Sequence, residues 1–344
     1  MSTKRCQNNS EDALLNHQAL SIYEAGRLAE KACLAAGANP ATAHALSRAT
    51  VSAELYGQQG VGFPHLLDYL ASFQAGRINC RAEPIFNSPL PALIYSDADG
   101  GIAQLGFDQA MPTLVTKTSE LGVTLFTQSN SFTSGELGYY VRRLALEGLV
   151  AFAVSNSPAA VAAAPGGGKV FGTNPLAFAA PLADPEAPLV IDQAISATAF
   201  VNLRGAAERG EPIPEGWAID ETGQATTDSV AALRGALLAF GGAKGANIAL
   251  MIECLAAGLS GAAWSLDMAD FQNGAERVDA GLTIIAIHPA ALAADFSIRL
   301  SCQLDRLAAR GAYVPGRRQV RDAASAEEQV VIDTTVLDAI RGYL

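Results

Sequence analysis

Histidine and paired cysteine are scarce in this chain of 344 residues, and that scarcity limits the sites that it can build. None of the four histidines has a second histidine or a cysteine two or four residues away, and the five cysteines contain no C-x-x-C pair. Because structural metal sites draw on such closely spaced ligands, the sequence predicts no metal site. Scattered cysteines are also typical of a reducing compartment, so we expect the protein in the cytoplasm.

Positive charge is in short supply too. The chain has 23 Lys and Arg against 34 Asp and Glu, a formal net charge of -11, and no basic cluster stands out. Such a surface cannot neutralise a run of phosphates, which argues against a nucleic-acid partner.

Long apolar runs are missing as well. The apolar stretch 248–259 is interrupted by Glu253 and is shorter than the roughly 20 residues that a membrane-spanning helix needs. Residues 1–16 are too polar for a signal peptide. We therefore expect no membrane segment.

Hydrophobic residues, in contrast, make up 50% of the chain and charged residues only 17%. A chain of this length exceeds what one hydrophobic core usually fills, so two packed regions or an oligomer are expected.

The spacing of apolar residues divides the chain into three parts. Residues 1–12 are polar without periodicity and predict a flexible N-terminus. Residues 13–80, where Asn39 and Pro40 can begin a helix, and residues 298–344 have helical spacing, which predicts a helical domain built from both chain ends. Residues 81–297 alternate extended apolar segments with helix-like ones, which predicts an α/β (α+β) domain with a mixed sheet covered by helices.

The glycine-rich stretch around residues 165–175 is the most informative motif. Gly172-Thr173-Asn174-Pro175 follows three successive glycines at 166–168 and precedes an apolar segment. Glycines let backbone N–H groups approach a ligand, so the segment could hold a phosphate or a carboxylate. Taken alone, such a turn is more often structural.

Other marked segments give this motif a context. They occur in the order Asn130-Ser131, 135–140 (GELGYY), 147–149 (EGL), 172–175 (GTNP), 191–194 (IDQA), 213–218 (IPEGWA) and 241–245 (GGAKG). This series resembles the malate/L-lactate dehydrogenase-like family, which also includes cyclic imino acid reductases and ureidoglycolate and sulfolactate dehydrogenases. The resemblance runs from about Leu20 to Pro315.

The resemblance implies a homodimer that binds NADPH or NADH without the G-x-G-x-x-G turn of the Rossmann fold. It places the active site between the helical domain and the α/β domain, which would hold the cofactor. The cofactor-binding positions that it implies are Thr133, Ser134, Gly135, Glu136, Leu137, Asp192, Gln193, Ala194, Lys244 and Arg317, and Gly242 and Arg310 are further candidates. The arginines favour NADPH, because they could meet a 2′-phosphate.

The chain departs from its relatives where they carry their acid/base histidine. In place of Ser-His-Gly it reads Gly60-Val61-Gly62, the position of a substrate-binding arginine falls on His65, and a second histidine position falls on Thr133. Valine cannot give a proton to the alkoxide that forms when a ketone is reduced. A protonated imine already carries its proton, so imine reduction survives the substitution.

The sequence therefore predicts an NAD(P)H-dependent reductase of a small imine, such as pyrroline- or piperideine-2-carboxylate. Asp192 is the candidate carboxylate that favours the cationic imine, although it could instead cap a helix over residues 194–199. His65 and Thr133 are further catalytic candidates, and His65 could equally be a packed histidine. Thr173, Ser131 and Gln59 are the candidates for substrate binding, although loop hydroxyls and glutamines commonly satisfy backbone or water.

Two alternatives stay open. The chain could be a 2-hydroxy acid or ureidoglycolate-type dehydrogenase in which His65 or water moves the proton. It could also be a catalytically altered protein that binds the dinucleotide without turnover.

Overall fold

The computed structural model describes residues 17–315 and 329–344. Their helices are α1 Ile22–Ala35, α2 Pro40–Leu55, α3 Phe63–Gln74, α4 Ala103–Leu121, α5 Gly138–Leu146, α6 Phe200–Glu208, α7 Ser229–Arg234, α8 Ala243–Glu253, α9 Phe296–Ala308 and α10 Thr334–Arg341. Their strands are β1 His17–Ser21, β2 Ile85–Asn87, β3 Leu93–Asp97, β4 Val123–Ser131, β5 Val150–Ser155, β6 Val161–Ala162, β7 Lys169–Phe171, β8 Leu176–Ala180, β9 Leu189–Gln193, β10 Ala218–Ile219, β11 Ala225–Thr226, β12 Ala236–Leu238, β13 Ala280–Ile287 and β14 Gln329–Asp333.

A mixed seven-stranded sheet lies at the centre, in the order β2-β3-β4-β13-β5-β8-β9. Strands β3 and β4 are parallel and the other neighbouring pairs are antiparallel. Helices α4 and α5 pack on it and share a core that includes Phe107, Phe126 and Tyr140. The continuous apolar runs of β5 and β13 suit such central strands, which are covered on both faces.

The two ends of the described chain meet in a helical layer. Strand β1 pairs with β14 in antiparallel register, from His17 opposite Asp333 to Ser21 opposite Gln329. Helix α10 packs on α1 and α3, and one hydrophobic core joins them. Local signals set the helix starts: Ser21 and Glu24 form a capping box on α1, and Asn39 accepts a hydrogen bond from Thr42 N at the start of α2.

A second, five-stranded sheet has the order β11-β10-β12-β6-β7. Its core includes Val161, Leu203, Leu237 and Ile252 and so joins this sheet to α6 and α8. The α/β fold with mixed sheets and helices is therefore confirmed, whereas the sequence did not reveal these two- and three-residue strands. No helix among residues 17–315 and 329–344 is both long and apolar enough to cross a membrane.

One end of the seven-stranded sheet collects the segments that the motifs single out. The ladder pairs Ser131 with Ala280, Ser155 with Leu282 and Leu176 with Gln193, so β4, β5 and β9 end where β8 and β13 begin. The loop 132–137, residues 156–157, the turn 172–175 and residues 194–196 consequently meet at this edge. We call it the site end of the sheet.

Candidate active site

The loop 132–137 leads from β4 to α5 across the site end of the sheet. Asn130 and Gly135 adopt left-handed conformations with φ of 55° and 65°, which turn the chain sharply at both sides of Thr133. Ser134, Glu136 and Leu137 are buried, whereas Thr133 and Gly135 are half-buried. Of these five predicted cofactor residues, Thr133 and Gly135 are therefore the more accessible to a bound molecule.

His65 lies on α3 and contacts Thr133. The imidazole Nε2 is 2.8 Å from Thr133 Oγ1, and Nδ1 is 2.8 Å from Asp68 Oδ2. Tyr69, one turn further along α3, donates to the Thr133 carbonyl at 2.6 Å and accepts from the Thr133 hydroxyl at 2.9 Å. The helix thus presents two side chains, His65 and Tyr69, to one residue of the loop.

Both ring nitrogens of His65 are occupied by protein partners. The ring also makes edge contacts with Tyr69 and Phe271, at centroid distances of 5.0 and 5.6 Å. Any influence of His65 on a bound molecule therefore passes through Thr133, which is the half-buried end of the series. Burial raises the pKa of Tyr69 to about 12, so the phenol keeps the proton that it donates to the loop.

Asp192 lies near the end of β9 and faces the N-terminus of α5. Its Oδ2 accepts a hydrogen bond from Gly138 N at 2.7 Å. Burial raises the pKa of this carboxyl and the Glu136 carboxylate raises it too, whereas the Gly138 N–H lowers it, so that the pKa stands at about 7 against an ordinary 3.8. A carboxyl with this pKa exists in both forms near neutral pH, which suits proton transfer.

The alternative that Asp192 caps a helix over residues 194–199 is wrong. Those residues are not helical, and α6 begins only at Phe200, with Ala199 as its N-cap. Asp192 instead accepts a hydrogen bond from Gly138, the first residue of α5, which lies 54 positions earlier in the chain. Residue spacing cannot reveal a cap supplied from another strand.

The turn 172–175 lies against the segment that follows β5. Thr173 N donates to Ser157 Oγ at 3.1 Å, and the Thr173 and Ser157 hydroxyls are 3.3 Å apart. Gly172 permits this approach, because a Cβ there would lie 2.3 Å from the Ser157 carbonyl oxygen. The result is a pair of half-buried hydroxyls at the site end of the sheet.

The other two candidates for substrate binding are placed differently. Ser131 is buried, and its hydroxyl donates to the Ala280 carbonyl at 2.9 Å, as structural hydroxyls commonly do. Gln59 is exposed in the 3-10 turn Gln59–Val61 just before α3. A Cβ on the adjacent Gly60 would lie 3.5 Å from Val201 Cγ1, so this turn packs near the start of α6.

The glycine-rich segment 241–245 is joined to the site by backbone hydrogen bonds. Ile195 N donates to Thr173 O, and Phe240 N donates to Ile195 O, both at 2.9 Å. Gly241 and Gly242 have φ of 61° and 62°, and Lys244 is exposed in the first turn of α8. This turn therefore combines two glycines in left-handed conformations with an exposed lysine at the start of a helix.

Of the remaining cofactor candidates, some lie at the site end of the sheet and others do not. Gln193 is exposed and Ala194 half-buried directly after Asp192, at the site end of the sheet. Arg310 is exposed beyond the end of α9, and the middle of α9 contacts the opposite end of the sheet, where Ser301 Oγ accepts from Ala183 N. Arg317 lies outside the described residues.

Sequence reasoning missed Asp68, Tyr69, Ser157 and Arg142. Asp68 stands three residues from His65, a helical spacing that does signal a contact between the two side chains. The other three act across 16 or more positions or on a buried partner, for which the sequence carries no local signal. Among residues 17–315 and 329–344, no group of three His, Cys, Asp or Glu has the geometry to hold a metal ion.

Known proteins match this chain over nearly its whole length. The malate/L-lactate dehydrogenase family matches residues 20–341. The (2R)-3-sulfolactate dehydrogenase (NADP(+)) of Chromohalobacter salexigens is 35% identical over 94% of this chain and 97% of its own. The Δ1-pyrroline-2-carboxylate reductase of Pseudomonas fluorescens is 35% identical over 94% of this chain and 98% of its own.

A solved structure agrees with these sequences. The Δ1-piperideine-2-carboxylate reductase from Pseudomonas syringae superposes with a TM-score of 0.88 at 32% identity, covering 95% of this chain and all of that one. The chain belongs to the malate/L-lactate dehydrogenase family. The resemblance seen in the motifs is thereby confirmed, and with it the assignment to an oxidoreductase family.

Proposed function

We propose that the protein reduces a small cyclic imine carboxylate, of the pyrroline- or piperideine-2-carboxylate type, with NADPH as the hydride donor. The observation that carries this proposal is the Asp192 carboxyl, whose pKa of about 7 lets it exchange a proton at the site end of the sheet. Support comes from relatives that bear the names of such reductases and match most of this chain.

Asp192 has the properties of the proton donor. In its protonated form the carboxyl gives its proton to the imine nitrogen, and the carboxylate that remains stabilises the resulting cationic C=N group. Hydride then adds to the ring carbon with its electron pair and leaves a neutral amine, so one proton and one hydride account for the reduction. The Gly138 N–H, 2.7 Å from Asp192 Oδ2, orients the carboxyl for this step.

The Thr173 and Ser157 hydroxyls are suited to the carboxylate of the substrate. They lie 3.3 Å apart at the site end of the sheet and are half-buried, so a carboxylate that faces both of them receives two O–H donors. Gly172 keeps the turn close to Ser157 and so fixes the spacing of the pair.

The residues around the site fit a dinucleotide. Lys244 and the backbone N–H groups at the start of α8 favour an anion, because a helix N-terminus carries partial positive charge. Gly245 brings this turn against Phe240, since a Cβ at Gly245 would lie 2.0 Å from the Phe240 carbonyl oxygen. The reduced nicotinamide supplies the hydride when the cofactor is bound.

A second candidate function is the reduction of a 2-oxo acid to a 2-hydroxy acid. Asp192 in its protonated form and the Asp68–His65–Thr133 series both offer a proton for an alkoxide. A sulfolactate dehydrogenase is among the relatives, and it matches 94% of this chain.

One experiment separates the candidates. NADPH oxidation by the purified protein is followed with Δ1-pyrroline- and Δ1-piperideine-2-carboxylate and with a panel of 2-oxo acids. We expect a higher kcat/KM for the imines and its loss in Asp192→Asn, whereas Asp267→Asn, which changes an exposed carboxylate, keeps it. Faster turnover of 2-oxo acids establishes the second function, and calorimetric NADPH binding without any turnover establishes a protein that only binds the dinucleotide.

The assembly and location are part of the same proposal. We propose a homodimer in the cytoplasm, in keeping with the high hydrophobic content and the dispersed cysteines of the chain. Light scattering coupled to size exclusion tests the dimer: a mass of one chain at micromolar concentration contradicts it.

A further inference from the structure

A buried ion pair lies beside Asp192, outside the mechanism derived above. Glu136 Oε1 accepts from Arg142 Nη2 at 2.7 Å, and both side chains are nearly inaccessible to solvent. Glu136 Oε2 accepts from Ser52 Oγ at 2.8 Å. Both oxygens of Glu136 are thus engaged within the protein, which argues against the cofactor-binding role implied by its place in the loop.

The two carboxylates flank a single backbone position. A Cβ on Gly138 would lie 2.6 Å from Glu136 Oε1 and 3.3 Å from Asp192 Oδ2. Gly138 is therefore required where it stands, because any side chain would separate the two acids. Two carboxyl groups held this close disfavour simultaneous ionisation.

The helical layer fixes the ion pair from the other side. Arg142 Nη1 donates to Ser52 Oγ at 3.0 Å, and its guanidinium stacks on the Tyr56 ring, 3.3 Å from the centroid. Ser52 belongs to α2 and Tyr56 caps its C-terminus. A buried ion pair with additional hydrogen bonds of this kind keeps the Glu136 carboxylate in one place.

We propose that Glu136 is a positioning residue of the reaction, whose fixed negative charge holds Asp192 in the protonated form that donates the proton to the substrate. The inference rests on the proposed function, in which Asp192 is the donor. It assigns to Arg142 and Ser52 the task of holding the Glu136 carboxylate beside Asp192.

The charged groups that face Asp192 are few, which makes the direction of the effect clear. Glu136 and Arg142 face it from the loop and from α5, whereas β8 and the rest of β9 carry no ionisable side chain. Glu136 acts to raise the pKa of Asp192 and Arg142 acts to lower it, and the effect of Glu136 is the larger. Removal of the Glu136 charge must therefore favour the carboxylate form of Asp192.

Glu136→Gln tests this directly, because glutamine keeps the shape and can keep the hydrogen bonds. Protein labelled with ¹³C at the aspartate carboxyl is titrated by NMR, and the Asp192 signal is identified by its loss in Asp192→Asn. We expect the Asp192 midpoint to fall by about one pH unit or more in Glu136→Gln. Glu147→Gln makes the same change at the exposed C-cap of α5 and should leave the midpoint in place.

An unchanged Asp192 midpoint in folded Glu136→Gln overturns the inference. If the single variant does not fold because Arg142 is left unpaired, the double variant Glu136→Gln/Arg142→Met removes both charges. The double variant must still lower the Asp192 midpoint, since Glu136 has a larger effect on it than Arg142. An unchanged or raised Asp192 midpoint in the double variant also overturns the inference.

The same variants measured with substrate separate this inference from the proposed function. If imines are turned over, the pH at which kcat declines should fall together with the NMR midpoint. If the midpoint falls as expected but no imine is turned over, the proposed function fails while the coupling between the two carboxylates stands.

Discussion

His65 Nε2 lies 2.8 Å from Thr133 Oγ1, and the other ring nitrogen lies 2.8 Å from Asp68 Oδ2. The imidazole is therefore the middle of a series, and neither nitrogen faces an open site. The resemblance in sequence implied a histidine at the position of Thr133, and in the structure that threonine is bonded to His65. A proton from His65 can therefore reach a bound molecule only through the Thr133 hydroxyl.

Thr133 and His65 should consequently act as one unit. We expect Thr133→Val to lower kcat by on the order of 10- to 100-fold, because the hydroxyl that connects His65 to the site is lost. Thr133→Ser should retain most of the activity, and Thr116→Val, on the exposed side of α4, should have no effect on kcat.

A double-mutant cycle with His65→Gln checks the coupling. The double variant should lose no more kcat than the more damaging of the two single variants, since both break the same series. Losses that multiply would show that the two residues contribute separately.

The raised pKa of Asp192 also makes a prediction for stability. The folded-state pKa of about 7 exceeds the ordinary 3.8. The protonated carboxyl therefore makes its full contribution to the free energy of unfolding below about pH 4, and this contribution is lost as the pH rises through 7. Asp192→Asn removes this dependence, so relative to wild type it should be more stable at pH 8 than at pH 4, by up to about 4 kcal/mol.

Urea unfolding at the two pH values measures the difference. Asp267→Asn, which makes the same change at an exposed carboxylate, is the control. A wild-type protein and an Asp192→Asn variant with parallel pH profiles would be inconsistent with a buried carboxyl that titrates near neutrality.

The local parts of the fold were accessible to sequence reasoning. Asn39 and Pro40 begin α2 as expected, and the apolar run of β13 forms a central strand, because caps and continuous hydrophobic segments depend on adjacent residues. Strands β6 and β10 have two residues each, which is too short for any periodicity. They exist because the neighbouring strands supply their hydrogen bonds.

The sequence predicted which residues form the candidate site better than it predicted which residues they contact. The motifs selected Thr133, Thr173 and Asp192, and the structure brings all three to one end of the sheet. Their partners could not be predicted, since Thr133 contacts His65, 68 positions away, and Asp192 contacts Gly138, 54 positions away. Such partners depend on how the strands are ordered in the sheet, which no local pattern encodes.

The turn that holds Thr173 gives a prediction with an internal control. Gly172→Ala places a Cβ 2.3 Å from the Ser157 carbonyl oxygen, so it should cost about 1–3 kcal/mol of stability and raise KM for the substrate. Gly168→Ala lies in open space on the preceding loop and should alter neither. Denaturant midpoints and steady-state kinetics on the two variants provide the comparison, and equal behaviour would contradict the proposed spacing of the hydroxyl pair.

Two serines distinguish a substrate contact from a structural one. Ser157→Ala removes one of the hydroxyls proposed to bind the carboxylate and should raise KM about tenfold, with a smaller change in kcat. Ser131→Ala removes a bond to the Ala280 carbonyl and should lower stability without raising KM. A raised KM in Ser131→Ala together with an unchanged KM in Ser157→Ala would show that Ser131, and not Ser157, contacts the substrate.

Lys244 allows the cofactor proposal to be tested without turnover. Its ammonium is exposed in the first turn of α8, beside backbone N–H groups, and should contact a phosphate of the dinucleotide. We expect Lys244→Ala to raise the Kd for NADPH about tenfold, equivalent to roughly 1.4 kcal/mol, and to weaken its dependence on salt. Calorimetry with NADPH and NADH then locates the contact: a loss confined to NADPH places Lys244 at the 2′-phosphate, whereas equal losses place it at the pyrophosphate. Lys31→Ala, an exposed lysine on α1, should bind both cofactors as wild type does, and identical affinities in all three proteins would exclude Lys244 from the cofactor site.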